Sequence, residues 1–186
     1  MIYVFLANGF EEVEALIPVD VLRRAGKDVL TVSINETKEV TAAHGVTVIA
    51  DTLFGDNDYS DAELLFLPGG LPGSQYLADH EALGQVLTER NEKGGLIAAI
   101  CAAPALVLGK LGIVDGKNAT CYPGCEDQMA KANYTGELVT VDGNIVTGEG
   151  PAAAFPFAYT LTAMLAGEET AEALAEGMRF KHLMEK

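Results

Sequence analysis

Cysteine, histidine and basic residues are all scarce in this sequence. Three cysteines occur among 186 residues. An odd number excludes a fully paired disulfide framework and leaves at least one thiol free. Twelve Lys+Arg stand against 27 Asp+Glu, for a formal net charge of −15. A phosphate backbone would be repelled by that surface, so no nucleic-acid partner is expected. An anionic membrane surface is disfavoured on the same ground. The acidity names no partner, because high net charge mostly supports solubility. Long apolar runs are also missing. The stretch Leu96–Leu108 is interrupted by Pro104 and is shorter than the ~20 residues a membrane span needs. The first strand starts without the basic and apolar regions of a signal peptide. The expected location is therefore cytoplasmic, where thiols stay reduced. Linkers, low-complexity tracts and internal repeats are lacking too.

What the chain does have is a core. Its composition is 49% hydrophobic and 21% charged, which excludes disorder and predicts one domain over 1–186. Short apolar runs read as strands at Ile2–Leu6, Val29–Ile34, Leu64–Leu67 and Leu96–Ile100. Helical patterns read at Glu11–Arg24, Leu83–Lys93, Ala102–Leu111, Phe155–Ala166 and Thr170–Met178. In the first helix Val13, Leu16, Ile17, Val21 and Leu22 are assigned to the inner side. Val40–Ala50, with Ala43-His44-Gly45 as a turn, reads as an antiparallel excursion. Asp142-Gly143-Asn144, between Leu138–Val141 and Ile145–Thr147, signals a hairpin. Strands alternating with helices imply a parallel sheet covered on both faces. Ligands of such sheets sit beyond the carboxyl ends of the strands, which singles out Ala7–Glu14, Pro68–Ser74 and Cys101–Pro104.

Cys101 directly follows the run Leu96–Ile100, and Ala102-Ala103-Pro104 opens a helix. This places a thiol at a sharp strand-to-helix turn, where small neighbours leave the sulfur approachable. Pro104 suits a first helical turn. The unpaired N–H groups of a helix N-terminus are expected to favour thiolate, the nucleophilic form. The competing reading is a small buried hydrophobe. Glu14 bears on the choice. Pro18 cannot donate to the Glu14 carbonyl, and Glu14, Val21 and Ala25 share one helical face, so the carboxyl is expected to point inward. A buried carboxyl tends to hold its proton and can shuttle it beside a cysteine. Glu11 and Glu12 are read as first-turn acids complementing the helix dipole. The glycines of Pro68-Gly69-Gly70 let backbone approach a ligand. The N–H groups of Gly70 and Ala102 are candidates for an oxyanion hole.

Asn8–Glu14, Ile17–Gly26, Leu67-Pro68-Gly69-Gly70 and Ala98-Ala99-Ile100-Cys101-Ala102 together resemble the ThiJ/PfpI superfamily. The resemblance is to the branch of Parkinson disease protein 7 and its bacterial relatives. It implies an α/β fold, a flavodoxin-like (class I glutamine amidotransferase-like) three-layer sandwich around a mostly parallel sheet, usually as a homodimer. It further implies Cys101 as nucleophile on an elbow, Glu14 as its hydrogen-bonded acid, and Gly70 and Ala102 as backbone donors. Reported activities of the family are cofactor-free glyoxalase, deglycase, redox-responsive chaperone and cysteine peptidase. No cofactor and no metal are expected.

One departure concerns a Thr-His-Pro segment of that branch, which here reads Thr120-Cys121-Tyr122-Pro123. A phenol with a pKa of about 10 is a poor base near neutrality, so Tyr122 is at most auxiliary. The peptidase branch places histidine directly after the nucleophile. Here Ala102 stands there, which ranks proteolysis low. His44, His80 and His182 are read as surface residues, and none shares a metal-ligand spacing with Cys or another His. Cys121 and Cys125 occupy the segment of the missing histidine. They are read as structural, with Cys121 an auxiliary candidate for resolving an oxidised Cys101. In Gly148-Glu149-Gly150-Pro151, where many relatives carry a basic residue, Glu149 reverses the charge. Two functions of different class remain open. One is a glyoxalase or deglycase acting on a small aldehyde or glycated substrate. The other is a redox sensor or chaperone that oxidises Cys101.

Overall fold

The computed structural model describes residues 1–185. From the N-terminus come β1 (Ile2–Leu6), α1 (Glu12–Arg24), β2 (Val29–Ser33), β3 (Glu39–Thr41), β4 (Thr47–Ile49), β5 (Thr52–Leu53) and β6 (Leu64–Leu67). Then follow α2 (Gly73–Asp79), α3 (Glu81–Glu92), β7 (Leu96–Ile100), a π-helical segment (Pro104–Gly109), β8 (Asn118–Ala119) and β9 (Asn133–Tyr134). The chain continues through β10 (Val139–Asp142), β11 (Ile145–Gly148), α4 (Ala154–Ala166), α5 (Glu168–Gly177) and α6 (Phe180–Met184). Seven strands form one sheet in the order β10-β11-β7-β6-β1-β2-β5. All its pairings are parallel except β10 with β11. This is the flavodoxin-like α/β sandwich.

Strands buried on both faces read as unbroken apolar runs, and every residue of β1 and β6 is buried. Alternate side chains feed two cores. Tyr3, Phe5, Leu65, Leu67 and Ile97 pack with Leu77, Leu83 and Leu87 of α2 and α3 and with Val107 and Leu108. Val4, Leu6, Phe66 and Ile100 pack with Ala15, Val19 and Leu22 of α1 and with Phe157 and Leu161 of α4. The excursion over Val40–Ala50 is an antiparallel hairpin of β3 and β4 outside the main sheet.

The inner side of α1 matches the expectation at Val21 and Leu22 and differs at Val13 and Leu16. Val13 and Leu16 are 40% and 37% exposed. The buried face is Glu14, Ala15, Pro18, Val19, Val21 and Leu22. Ala15, Pro18, Val19 and Leu22 recur at helical spacing, and two of the four are compact, so the helix lies close on the sheet. Apolarity alone picks the wrong stripe where a carboxyl is drawn inward. The segment after Cys101 also differs, since Pro104–Gly109 is wound more widely than an α-helix. Pro104 removes one donor from that first turn. No helical pattern in the sequence marks α2, whose opening Pro72-Gly73 are turn-forming residues.

Candidate active site around Cys101

Cys101 leaves β7 with φ +65°, in the left-handed region although it is not glycine. That conformation costs ~1–2 kcal/mol and is held by its surroundings. The Cys101 N–H donates to the Gly148 carbonyl at 2.9 Å, and the Cys101 carbonyl accepts from the Tyr122 N–H at 2.8 Å. The turn leaves 9% of the residue exposed.

Glu14 arrives from the other side. Glu11 caps α1, its Oε2 accepting the Glu14 N–H at 2.7 Å. The Glu11 N–H donates to the Gly69 carbonyl at 2.9 Å, so the helix start is tied to the loop after β6. Glu14 is fully buried, and its Oε2 accepts the Gly69 N–H at 2.9 Å. A Cβ on Gly69 would strike Glu14 Oε2 and lie 2.5 Å from Cys101 Cβ. The carboxyl and the cysteine therefore flank one point that only glycine leaves open. Gly70, at φ +90°, has its own Cβ position filled by the Phe10 and Glu11 backbone. Glu14 Oε1 is buried without a conventional partner, and the carboxyl's remaining interaction is with the Cys101 thiol. Backbone N–H groups of Gly70 and Ala102 also reach the sulfur.

Burial raises the Glu14 pKa to about 7, against the hydrogen bond from Cys101, with the nearby Glu11 charge adding to the rise. Burial also pushes the Cys101 thiol up, and the Glu14 carboxylate pushes it further, while the Gly70 and Ala102 N–H groups pull it down. The N–H groups favour thiolate as expected, but desolvation and a neighbouring carboxylate outweigh them. Two adjacent negative charges are not sustained in this enclosure, so the pair retains a proton near neutrality.

The DJ-1/PfpI family model matches residues 1–164. The chain belongs to the DJ-1/PfpI family. It is 42% identical over 167 residues to Protein DJ-1 homolog B of Arabidopsis thaliana, covering 89% of this chain but only 38% of that longer protein. It is 33% identical to the glutathione-independent glyoxalase DJR-1.2 of Caenorhabditis elegans, covering 88% of this chain and 87% of that one. The crystal structure of Drosophila melanogaster DJ-1beta superposes with a TM-score of 0.91 at 37% identity, over 95% and 96% of the two chains.

Within this DJ-1/PfpI fold the remaining candidates separate. Tyr122 is 49% exposed and stays beside Cys101 through its backbone. Cys121 is sealed in the opposite core, its thiol donating to the Tyr122 carbonyl at 3.5 Å. Burial pushes that thiol up to about 12. Cys125 is half-buried. His44 and His182 are exposed as expected. His80 is instead half-buried, its Nδ1 accepting the Leu83 N–H at 3.0 Å as the cap of α3.

Sequence reasoning missed two features of the site. Gly69 donates to Glu14, a role separate from that of Gly70 toward the sulfur. Glu11 is a buried cap beside the carboxyl, and the Asn8–Glu14 loop signalled it only as one acid among three. Spacing also concealed that the hairpin turn brings His44 Nδ1 to 3.0 Å from Glu12 Oε2. One ligand atom from each of Glu11, Glu12 and His44 lies within 4.8 Å of the others. Among the described residues, no helix is long and apolar enough to cross a membrane.

Proposed function

We propose that this chain is a cofactor-free enzyme acting on small reactive carbonyls through Cys101 and Glu14. The observation that carries this reading is the enclosed pair itself. A nucleophilic sulfur and a carboxyl with a pKa of about 7 meet beside backbone donors. A group poised near the working pH can both take and return a proton.

With methylglyoxal, Glu14 takes the thiol proton as the sulfur attacks the aldehyde carbon. It returns that proton to the new oxygen, giving a hemithioacetal. The Gly70 and Ala102 N–H groups stabilise charge developing there. Glu14 then removes the hydrogen from the former aldehyde carbon as a proton, giving an enediol, and delivers it to the adjacent carbon while the hydroxyl proton passes from the first oxygen to the second, leaving a lactoyl thioester on Cys101. Water cleaves the thioester to lactate and restores the thiol. A glycated amine or thiol would enter the same sequence after releasing its carbonyl. The glyoxalase named among the relatives supports this reading. In the test, purified protein is given methylglyoxal without glutathione. Lactate formation well above the protein-free rate is expected, and its absence would remove the proposal.

A redox-sensing reading has its own support. The Gly70 and Ala102 donors and a neutral Glu14 could equally hold an oxidised sulfur. The solved structure of an oxidized DJ-1 of Toxoplasma gondii, 36% identical with a TM-score of 0.90, is similar to this chain. We further propose a homodimer. Val13 and Leu16 on α1, and Val46 in the hairpin turn reached through Glu12 and His44, are exposed apolar side chains in one region. Sedimentation at twice the monomer mass is expected. A monomer at micromolar concentration would contradict it.

A further inference from the structure

A cavity of about 340 Å³ is walled by Tyr122, Pro123, Glu149 and the turn Gly150–Ala153. One wall residue is bonded to the cysteine's own backbone, and a second follows a residue that is. The Tyr122 N–H donates to the Cys101 carbonyl, and Gly148, one residue before Glu149, accepts the Cys101 N–H. The walls are also positioned. The Glu149 N–H donates to the Leu138 carbonyl at 3.0 Å. The Tyr122 ring packs over Gly150, where a Cβ would sit 3.2 Å from its Cδ2.

Only one wall residue carries a charge. Glu149 is half-buried and has no ion-pair partner among the described residues. No lysine or arginine lines the cavity. The neighbouring turn adds the same sign, since Glu126 Oε2 accepts the Gly124 N–H at 2.6 Å. The half-exposed Tyr122 ring, another wall of the cavity, offers a π face. A carboxylate and an aromatic face lining one small apolar space are complementary to an ammonium or guanidinium group. The volume is also more than a three-carbon aldehyde requires.

We propose that this cavity receives the positively charged end of the carbonyl substrate, with Glu149 as the specificity-determining residue. The substrate class is a free α-oxoaldehyde bearing an ammonium or guanidinium group. Anionic carbonyls are disfavoured and neutral ones pass without preference. The inference deepens the carbonyl reading, and its test includes a measurement that needs no turnover.

Methanethiosulfonates of opposite charge, one carrying trimethylammonium and one sulfonate, are reacted with the protein. Cys101 displaces methanesulfinate from each and forms a mixed disulfide, located by peptide mass. The wild type is expected to favour the cationic reagent. The cation-to-anion rate ratio should fall about tenfold in Glu149→Gln, equivalent to about 1.4 kcal/mol, and fall below that in Glu149→Lys. Glu176→Gln removes the same net charge from an exposed site on α5 and should leave the ratio unchanged. A ratio that is the same in Glu149→Gln as in the wild type overturns the proposal, as does an equal fall in Glu176→Gln. Should Glu149→Gln fail to fold, the wild-type ratio against salt decides. Persistence of the preference at 1 M, where the Debye length is about 3 Å, supports a local contact, and its disappearance opposes one. Phenylglyoxal and its 4-trimethylammonio and 4-carboxy derivatives supply the turnover arm. No conversion of any of the three, with the reagent ratio intact, removes the carbonyl chemistry and leaves the charge selection standing. Conversion of all three at equal efficiency removes the charge selection alone.

Discussion

Cys101→Ser is expected to reduce glutathione-free methylglyoxal turnover at least ~10³-fold, to within error of the uncatalysed rate. The two side chains differ by one atom, so the +65° backbone at position 101 and the hydrogen bonds to Gly148 and Tyr122 stay in place. What changes is the nucleophile. A serine hydroxyl beside Glu14 is far less acidic than a thiol, and the carboxyl cannot draw off its proton at neutral pH. An ester intermediate would also hydrolyse more slowly than a thioester. Lactate release is the first measurement, and thermal unfolding is the control, expected to move by less than ~1 kcal/mol. Turnover close to wild type in a folded Cys101→Ser protein would mean that the sulfur is not the nucleophile. The same variant separates the redox reading. Mild peroxide should add two oxygens to the wild type at Cys101, seen by intact mass and peptide mapping. Cys101→Ser should stay unmodified there.

The sheet was legible because strands buried on both faces announce themselves as unbroken apolar runs. Ile2–Leu6, Leu64–Leu67 and Leu96–Ile100 appear at the same residues in sequence and structure. The thiol's placement was legible for a related reason. A strand that runs straight into Cys-Ala-Ala-Pro has few ways to turn. The inward direction of Glu14 followed from helical spacing, while the face around it did not. Val13 and Leu16 are more apolar than Ala15 and Pro18, and hydropathy cannot register that the compact pair lets α1 approach the sheet. Gly69 was hidden because adjacent glycines are alike in sequence. Only the crowding of Glu14 and Cys101 around one of them tells them apart. The meeting of His44 with Glu12 depends on a hairpin folding back over the start of α1, a contact between distant segments that no local pattern encodes. The sealing of Cys121 in the opposite core is hidden in the same way, since residues 121 and 122 point to different layers.

Glu14→Gln is expected to lower the rate of carbonyl turnover by ~10²–10⁴ and to change how stability depends on pH. The carboxyl's folded pKa is about 7 against an ordinary 4.5. Below the ordinary value it is neutral in both folded and unfolded chains, and burying it carries no ionic penalty. As pH rises from there to 7, the unfolded chain gives up the proton while the folded chain keeps it, and stability falls. Above 7 both are ionised and the folded state bears the full cost of a buried charge, about 3 kcal/mol. Glutamine does not titrate, so Glu14→Gln should lack this decline and be relatively more stable at pH 8 than at pH 5. Denaturant unfolding of both proteins across that range checks it, and parallel curves would mean that Glu14 is ionised throughout. The catalytic arm divides the two functional readings. A glutamine amide can still donate a hydrogen bond to a thiolate or to an oxidised sulfur, but it cannot accept a proton from carbon and return it. If Cys101 serves only as a sensor, Glu14→Gln should preserve peroxide addition at Cys101. If the pair is catalytic, the same variant should keep the sulfur reactive toward alkylating reagents while turnover collapses. Turnover unchanged by Glu14→Gln would leave the carboxyl as a structural plug beneath Gly69.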